Sequence, residues 1–225
     1  MPSHPYVAIE GVIGVGKTTL ARLLQPVLEG ELLLEVFEEN PFLASFYADR
    51  ERYAFQTQIF FLLSRYQQQR VIVPELMEGQ AIISDYTFAK DRLFASLNLY
   101  GDELEMYHRV HEALAEKITI PNLLIFLRAD IDVLMARIIA RDRPYERNME
   151  RGYIAMLANA YERFVADWTA SPVLIIDTNN LNIVSSPEDL KTVVERVKSE
   201  LGRGTHQPRL PGVEPLSADG ATAGI

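Results

Sequence analysis

The chain has 225 residues, 48% of them hydrophobic, a formal net charge of -9 and no cysteine. That length suits one domain with a sizeable core, and the missing cysteines exclude both a disulfide framework and a thiolate metal site. The acidic balance disfavours a nucleic-acid scaffold, which needs clustered Lys and Arg against phosphate. No apolar run is long enough to span a membrane, and the opening Met1-Pro2-Ser3-His4-Pro5 has no signal-peptide pattern. A cytoplasmic protein without nucleic-acid or membrane partners is expected.

Short apolar runs at residues 6–9, 32–37, 81–84, 123–127 and 173–176 read as strands buried on both faces. They alternate with helix-like segments, the pattern of a five-stranded parallel sheet with helices on both sides, an α/β fold. Between the first strand and the first helix lies Gly11-Val12-Ile13-Gly14-Val15-Gly16-Lys17-Thr18. This is the complete phosphate-binding loop, G-x-x-x-x-G-K-T, in its proper strand–turn–helix setting. Gly11, Gly14, Val15, Gly16, Lys17, Thr18 and Thr19 are expected to cradle nucleotide phosphates, with the Thr18 hydroxyl on Mg²⁺.

The polar residues that follow the other strands are the next candidates, because ligands of open α/β sheets bind at the carboxyl edge. Glu35, Glu38 and Glu39 follow the second strand, and any of the three could accept a proton from an attacking hydroxyl. Asp85 follows the third, where a second Mg²⁺ ligand is expected. The longest helix, 52–71, places Gln58 and Arg65 on one face, seven residues apart. A helix over 103–118 carries His108 and His111, read as part of a solvated face. Helices are expected over 131–141, 153–168 and 187–201, the last capped by Ser186 with Pro187 at its first position. Arg137, Arg141 and Arg143 form R-x-x-x-R-x-R where the 131–141 helix ends, a cluster able to close over phosphates. From Gly202 the chain turns rich in Gly, Pro, Ser and Thr, so one domain over 1–201 and a disordered tail over 202–225 are expected.

Taken in this order, the phosphate loop, Glu35-Val36-Phe37-Glu38-Glu39-Asn40-Pro41, the run from Phe55 through Gln58 to Arg65-Tyr66, Asp85-Tyr86 and the Arg137–Glu146 segment make the chain similar to the deoxynucleoside kinases. It most resembles the compact bacterial deoxyadenosine and deoxyguanosine kinases. The resemblance implies a P-loop kinase fold with an arginine-bearing lid, working with ATP and Mg²⁺ on a deoxynucleoside, as a homodimer in nucleotide salvage. It implies Glu35 as general base, with Val36-Phe37 in place of the family's Pro-Val. It implies Gln58, Arg65 and Asp91 at the base, and Tyr47 and Glu146 at the sugar 3′-hydroxyl. Lys17, Arg141 and Arg143 would serve the transferring charge, and Thr18 and Asp85 the metal. The family's D/E-R-S reads Asp85-Tyr86-Thr87 here, leaving one cationic contact to Arg92 or a lid arginine. Asn40, where relatives carry Trp, is expected to leave polar space beside the substrate. Two rival readings share the loop: a nucleoside monophosphate kinase similar to thymidylate kinase, and a regulatory module that only binds or hydrolyses ATP.

Overall fold

The structure, a computed structural model, describes residues 4–203. Five parallel strands, β1 (Tyr6–Gly11), β2 (Gly30–Leu33), β3 (Ala81–Ser84), β4 (Leu123–Arg128) and β5 (Val173–Asp177), form one sheet in the order β2-β3-β1-β4-β5. Helices α1 (Lys17–Leu28), α2 (Leu43–Ala48), α3 (Arg50–Met77), α4 (Lys90–Asn98), α5 (Gly101–Ala115), α6 (Ile131–Arg141), α7 (Arg151–Ala166) and α8 (Pro187–Arg203) connect and cover them. β1, β3 and all of β4 but its last residue are buried. This is why those strands read as unbroken apolar runs and do not alternate. Successive side chains still divide between the faces. Val7 and Ile9 pack with Leu20 and Leu24 of α1, while Tyr6 and Ala8 join Val73 of α3. A third apolar cluster, with Phe46, Leu62, Phe88 and Tyr107, holds α2, α3, α4 and α5 together.

The expected α/β architecture is present, and its departures from expectation have local causes. The second strand was expected over 32–37 but stops at Leu33, because its partner β3 stops opposite it at Ser84. The chain then leaves the sheet, and Phe37–Glu39 makes a 3-10 turn. The long helix is extended at both ends. Asp49 accepts the Arg52 N–H at 3.3 Å to start it, and it continues past Pro74 to Met77. Ser186 caps α8 as expected, its hydroxyl accepting the Asp189 N–H at 3.2 Å. α8 reaches Arg203, past the expected tail boundary at Gly202; the remainder of that tail lies outside the described residues. His111 is not on a solvated face: it is buried and stacks on Phe88 at 4.8 Å, and burial lowers its pKa.

Glu10, the residue before the phosphate loop, is fully buried. Its carboxylate accepts the Thr87 N–H at 2.6 Å, the Thr87 hydroxyl at 2.8 Å and the Tyr161 hydroxyl at 2.9 Å. One side chain thereby fixes the end of β1 to the segment after β3 and to α7. A buried carboxylate needs such a set of donors to offset its desolvation. Glu10→Ala would orphan all three donors and is expected to lower unfolding free energy by about 3 kcal/mol. Urea denaturation measures this, with Glu105→Ala, which breaks an exposed pair with Arg109, as the variant expected to show no change.

Candidate active site

The phosphate loop sits at the carboxyl end of central β1, and its shape depends on glycine. Gly14 has φ +87°, and a Cβ there would lie 2.8 Å from Ile138 Cγ1. Gly11 has φ +145°, and a Cβ there would lie 2.5 Å from the Leu127 carbonyl oxygen of β4. The loop can therefore turn tightly against α6 and β4 only without side chains at these positions. The Lys17 ammonium donates to the carbonyls of Gly11 at 2.6 Å and Val12 at 3.2 Å. Thr18 donates its hydroxyl to Asp85 Oδ2 at 2.5 Å, and Asp85 Oδ1 accepts the Glu35 N–H at 2.8 Å. The ends of β1, β2 and β3 are thus tied together through one carboxylate. Thr18 and Asp85 are a hard-oxygen pair at the mouth of the phosphate loop. This fits Mg²⁺, which takes one or two protein oxygens and completes its shell with phosphate and water.

Facing the loop is a cavity of about 280 Å³, lined among others by Glu35, Tyr47, Gln58, Arg65 and Lys90. Glu35 is its most tightly held acid. Its Oε1 accepts Arg65 Nε at 3.1 Å and also contacts Arg65 Nη2, and its Oε2 accepts Lys90 Nζ at 2.7 Å. Arg65 pairs in turn with Asp91 through Nη1. Side-chain exposure is 16% for Glu35, 6% for Arg65, 4% for Lys90 and zero for Asp91. Burial alone would push the Glu35 carboxyl up, but the Arg65 and Lys90 charges hold it well below the usual carboxylate range. Glu38 and Glu39, the other two candidates, lie exposed on the 3-10 turn and do not line the cavity.

α3 forms the opposite wall. Gln58 is 3% exposed and faces the cavity, and its amide has no hydrogen-bond partner among the described residues. The adjacent Thr57 hydroxyl is likewise buried without a partner. Buried amides and hydroxyls in a folded protein are normally paired, so this wall presents ready donors and acceptors to a guest.

The lid closes the third side. α6 ends at Asp142, whose φ of +48° turns the chain. Beyond it, Glu146 is buried and accepts Arg141 at 2.6 Å, with Arg143 at 3.5 Å. The Arg143 guanidinium lies 4.0 Å over the Phe37 ring, and Tyr145 stacks on Tyr47 at 5.9 Å. Arg137 separates from the other two arginines. It donates to the Val15 carbonyl at 3.3 Å and to the Thr178 hydroxyl and carbonyl at 2.9 and 2.7 Å, bracing the loop from behind. A second cavity opens there, lined by Arg137, Thr178, Leu181, Ile183 and Val184 and bordered by Gly14, Val15, Gly16 and Thr19.

The expected site residues converge, with three departures. Asp91 does not line the main cavity; it is sealed behind Arg65, which it orients. Asn40 opens no polar space. Its side chain turns away, donating to the Thr57 carbonyl at 3.2 Å and accepting the Phe42 N–H at 3.0 Å. Arg92 is exposed on α4 and does not line the cavity, so it does not supply the cation missing at Tyr86. The cation beside Glu35 is Lys90, which sequence reasoning missed. Its only signal was its place five residues beyond Asp85, at the start of α4, a helix too short to be read from periodicity.

The deoxynucleoside kinase family model matches residues 7–201. The chain belongs to the deoxynucleoside kinase family. The kinase is 34% identical to a deoxyguanosine kinase of Bacillus subtilis (strain 168), over 88% of its own length and 98% of the relative's. It is 27% identical to a deoxyadenosine/deoxycytidine kinase of the same organism, over 88% and 94% of the two chains. A deoxyadenosine kinase of Dictyostelium discoideum is 33% identical, over 84% and 78%. Its fold matches the solved deoxyadenosine kinase of M. mycoides, with a TM-score of 0.75 at 24% identity, covering 86% of this chain and 99% of that one. No helix among the described residues is long and apolar enough to cross a membrane. The readings as a monophosphate kinase and as a regulatory module give way to the family assignment.

Burial, and next the Lys90 charge, lower Lys17 of the kinase from 10.5 to about 8, against the opposing pull of Glu10, Glu35 and Asp85. Only the protonated ammonium attracts phosphate. Donor kcat/KM is therefore expected to fall as pH rises through about 8. Lys17→Arg, which stays charged throughout, is expected to remove that inflection from an initial-rate pH profile.

Proposed function

We propose that the kinase transfers the γ-phosphoryl group of ATP to the 5′-hydroxyl of a purine deoxynucleoside, in nucleotide salvage. The observation that carries this reading is Gln58. A buried amide with both donor and acceptor free, facing the same cavity as Glu35 and the phosphate loop, suits the paired donor and acceptor of a nucleobase edge. Arg65, oriented by Asp91, completes the base site. Tyr47 and Glu146 sit where the sugar would lie. The second cavity behind the phosphate loop, with apolar walls and Arg137, suits the base of the donor. The purine preference draws support from the relatives, which include deoxyguanosine and deoxyadenosine kinases.

In this reading Glu35 accepts the proton of the 5′-hydroxyl. That oxygen bonds to the γ-phosphorus as the bond to the β,γ-bridging oxygen breaks, releasing ADP. Lys17 and the lid arginines Arg141 and Arg143 balance the spreading charge, and Tyr47, Gln58 and Glu146 hold the acceptor in line. Mg²⁺ held by Thr18 and Asp85 would neutralise charge on the donor phosphates. The buried clamp on Glu35 suits a base that must be ionised and aligned before the acceptor arrives. Exposed apolar residues on the long helices, Leu63 and Val71 on α3 and Met106 on α5, suit a homodimer contact. We place the enzyme in the cytoplasm.

Glu35→Gln keeps the side chain's shape but removes its basicity. Turnover is expected to fall at least ~10²-fold with ATP affinity retained, read by single-turnover assay and calorimetry. A variant turning over at the wild-type rate would refute Glu35 as base. Gln58→Leu removes the free amide without orphaning any protein group. Acceptor kcat/KM is expected to drop about tenfold or more while thermal stability holds or rises. A panel of the four deoxynucleosides and their monophosphates decides the acceptor: the highest kcat/KM on deoxyguanosine or deoxyadenosine supports the purine reading, and deoxycytidine above both overturns it.

A further inference from the structure

The proposed base is clamped by two cations, Arg65 and Lys90, and the second lies outside every motif that identifies the chain. Lys90 begins α4, is 3% exposed, and places Nζ 2.7 Å from Glu35 Oε2. Its ammonium also lies 5.7 Å from the Tyr86 ring centre and 5.9 Å from that of Phe94, so aromatic faces surround its charge. The Lys90 side chain lines the main cavity together with Lys17 and Arg65, and its charge is felt at Lys17. A lysine so desolvated is costly unless its partner is ionised and close.

The two cations divide the carboxylate. Arg65 takes Oε1 and Lys90 takes Oε2. Each carboxylate oxygen has two acceptor positions; Arg65 engages both on Oε1 through Nε and Nη2, and Oε2 keeps one for an incoming hydroxyl. Arg65 alone would leave Glu35 free to swing about one anchored oxygen. Lys90 anchors the other and fixes the plane of the carboxylate. The remaining charged or titratable groups around Glu35 do not substitute for it. Asp85 accepts the Glu35 backbone N–H, Lys17 is engaged with the phosphate loop, and Tyr47 and Tyr161 are phenols that sense the Glu35 charge without a hydrogen bond to it.

We propose that Lys90 is a positioning residue for phosphoryl transfer, acting through Glu35 by holding its carboxylate in a single orientation toward the acceptor hydroxyl. This rests on the proposed role of Glu35 as base. It places the cation that the Asp85-Tyr86-Thr87 segment lacks at the first residue of α4, four residues beyond Tyr86.

The test compares Lys90→Met, Lys90→Gln and Lys90→Arg in the full-length enzyme, with kcat and acceptor KM measured. Lys90→Met is expected to lower kcat by about 10²-fold with acceptor KM changed far less, because the base is misaligned while the base site at Gln58 is intact. Lys90→Gln is expected to behave like Lys90→Met, and Lys90→Arg to recover most of kcat. Folded Met and Gln variants with wild-type kcat would overturn the proposal. So would equal kcat losses in all three variants, which is the signature of a packing role. Should neither neutral variant fold, the split between kcat and acceptor KM in Lys90→Arg carries the test, and an unchanged kcat with a raised acceptor KM would overturn the proposal. Absence of deoxynucleoside phosphorylation by the wild-type enzyme would instead strike the functional reading itself.

Discussion

The site depends on one buried ion cluster, Glu35 and Asp91 with Arg65 and Lys90 between them. Two acids and two bases make its formal charge zero, which lowers the cost of holding all four away from bulk solvent. The balance is local, and each member matters to the others. Removing one partner of a buried pair costs roughly 3–5 kcal/mol, because the other is left charged and unpaired. The cluster also spans the chain: Glu35 follows β2, Arg65 lies mid-way along α3, and Lys90 and Asp91 open α4. Its assembly therefore requires these elements to dock in one relative position. Geometry for chemistry and geometry for folding are set by the same contacts.

That arrangement explains the unusual character of α3. Its buried positions are Ala54, Thr57, Gln58, Leu62, Arg65, Gln69 and Val73, recurring at the helical repeat but more polar than apolar. A helix of this length ordinarily buries an apolar stripe. Here the inward face is divided by task. Val73 packs on the sheet and Leu62 packs on α4 and α5, while Thr57, Gln58 and Arg65 line the cavity and Gln69 donates to the Tyr6 hydroxyl. Thr57 is the clearest instance, since its buried hydroxyl has no partner among the described residues, and the Gln58 amide beside it faces the cavity. Unpaired polar groups inside a protein are unfavourable in isolation, and a ligand that pairs them restores the difference as affinity.

Much of this was legible in the sequence, and the parts that were not share a cause. The strand–loop–helix of the phosphate site is local: its glycines, lysine and threonine act through backbone conformation within eight residues, so spacing alone located it. The strands β1, β3, β4 and β5 announced themselves as short apolar runs. The end of β2 did not, because it is set by where β3 stops, and pairing partners are not encoded in either strand alone. Asn40 was misread for a similar reason. A polar residue beside a site can face the guest or the backbone, and only the Thr57 carbonyl within reach decides between them. His111 looked solvated because a charged helix surrounds it, yet Phe88 arrives from another element to cover it. Lys90 escaped notice because its partner, Glu35, is 55 residues away. Long-range pairing of charges leaves no periodicity to read.

The lid shows how donor and acceptor halves are joined. Arg141 and Arg143 do not project freely over the phosphate loop; both are gathered by Glu146, which is itself buried at the acceptor cavity. Arg143 lies over Phe37, two residues past Glu35, and Tyr145 stacks on Tyr47 in the acceptor wall. The lid arginines are therefore registered against the acceptor side through one carboxylate and three aromatic rings. Arg137, four residues before Arg141 on the same helix, is registered against the donor side through the Val15 and Thr178 backbone. α6 and the turn that follows it consequently bridge the two halves. A ligand contacting Tyr47 or Glu146 competes for the same groups that hold the arginines, so filling the acceptor cavity alters the restraint on the charges that face the phosphates. The coupling needs no long-distance pathway, since a single carboxylate shared between the cavity wall and the lid is sufficient.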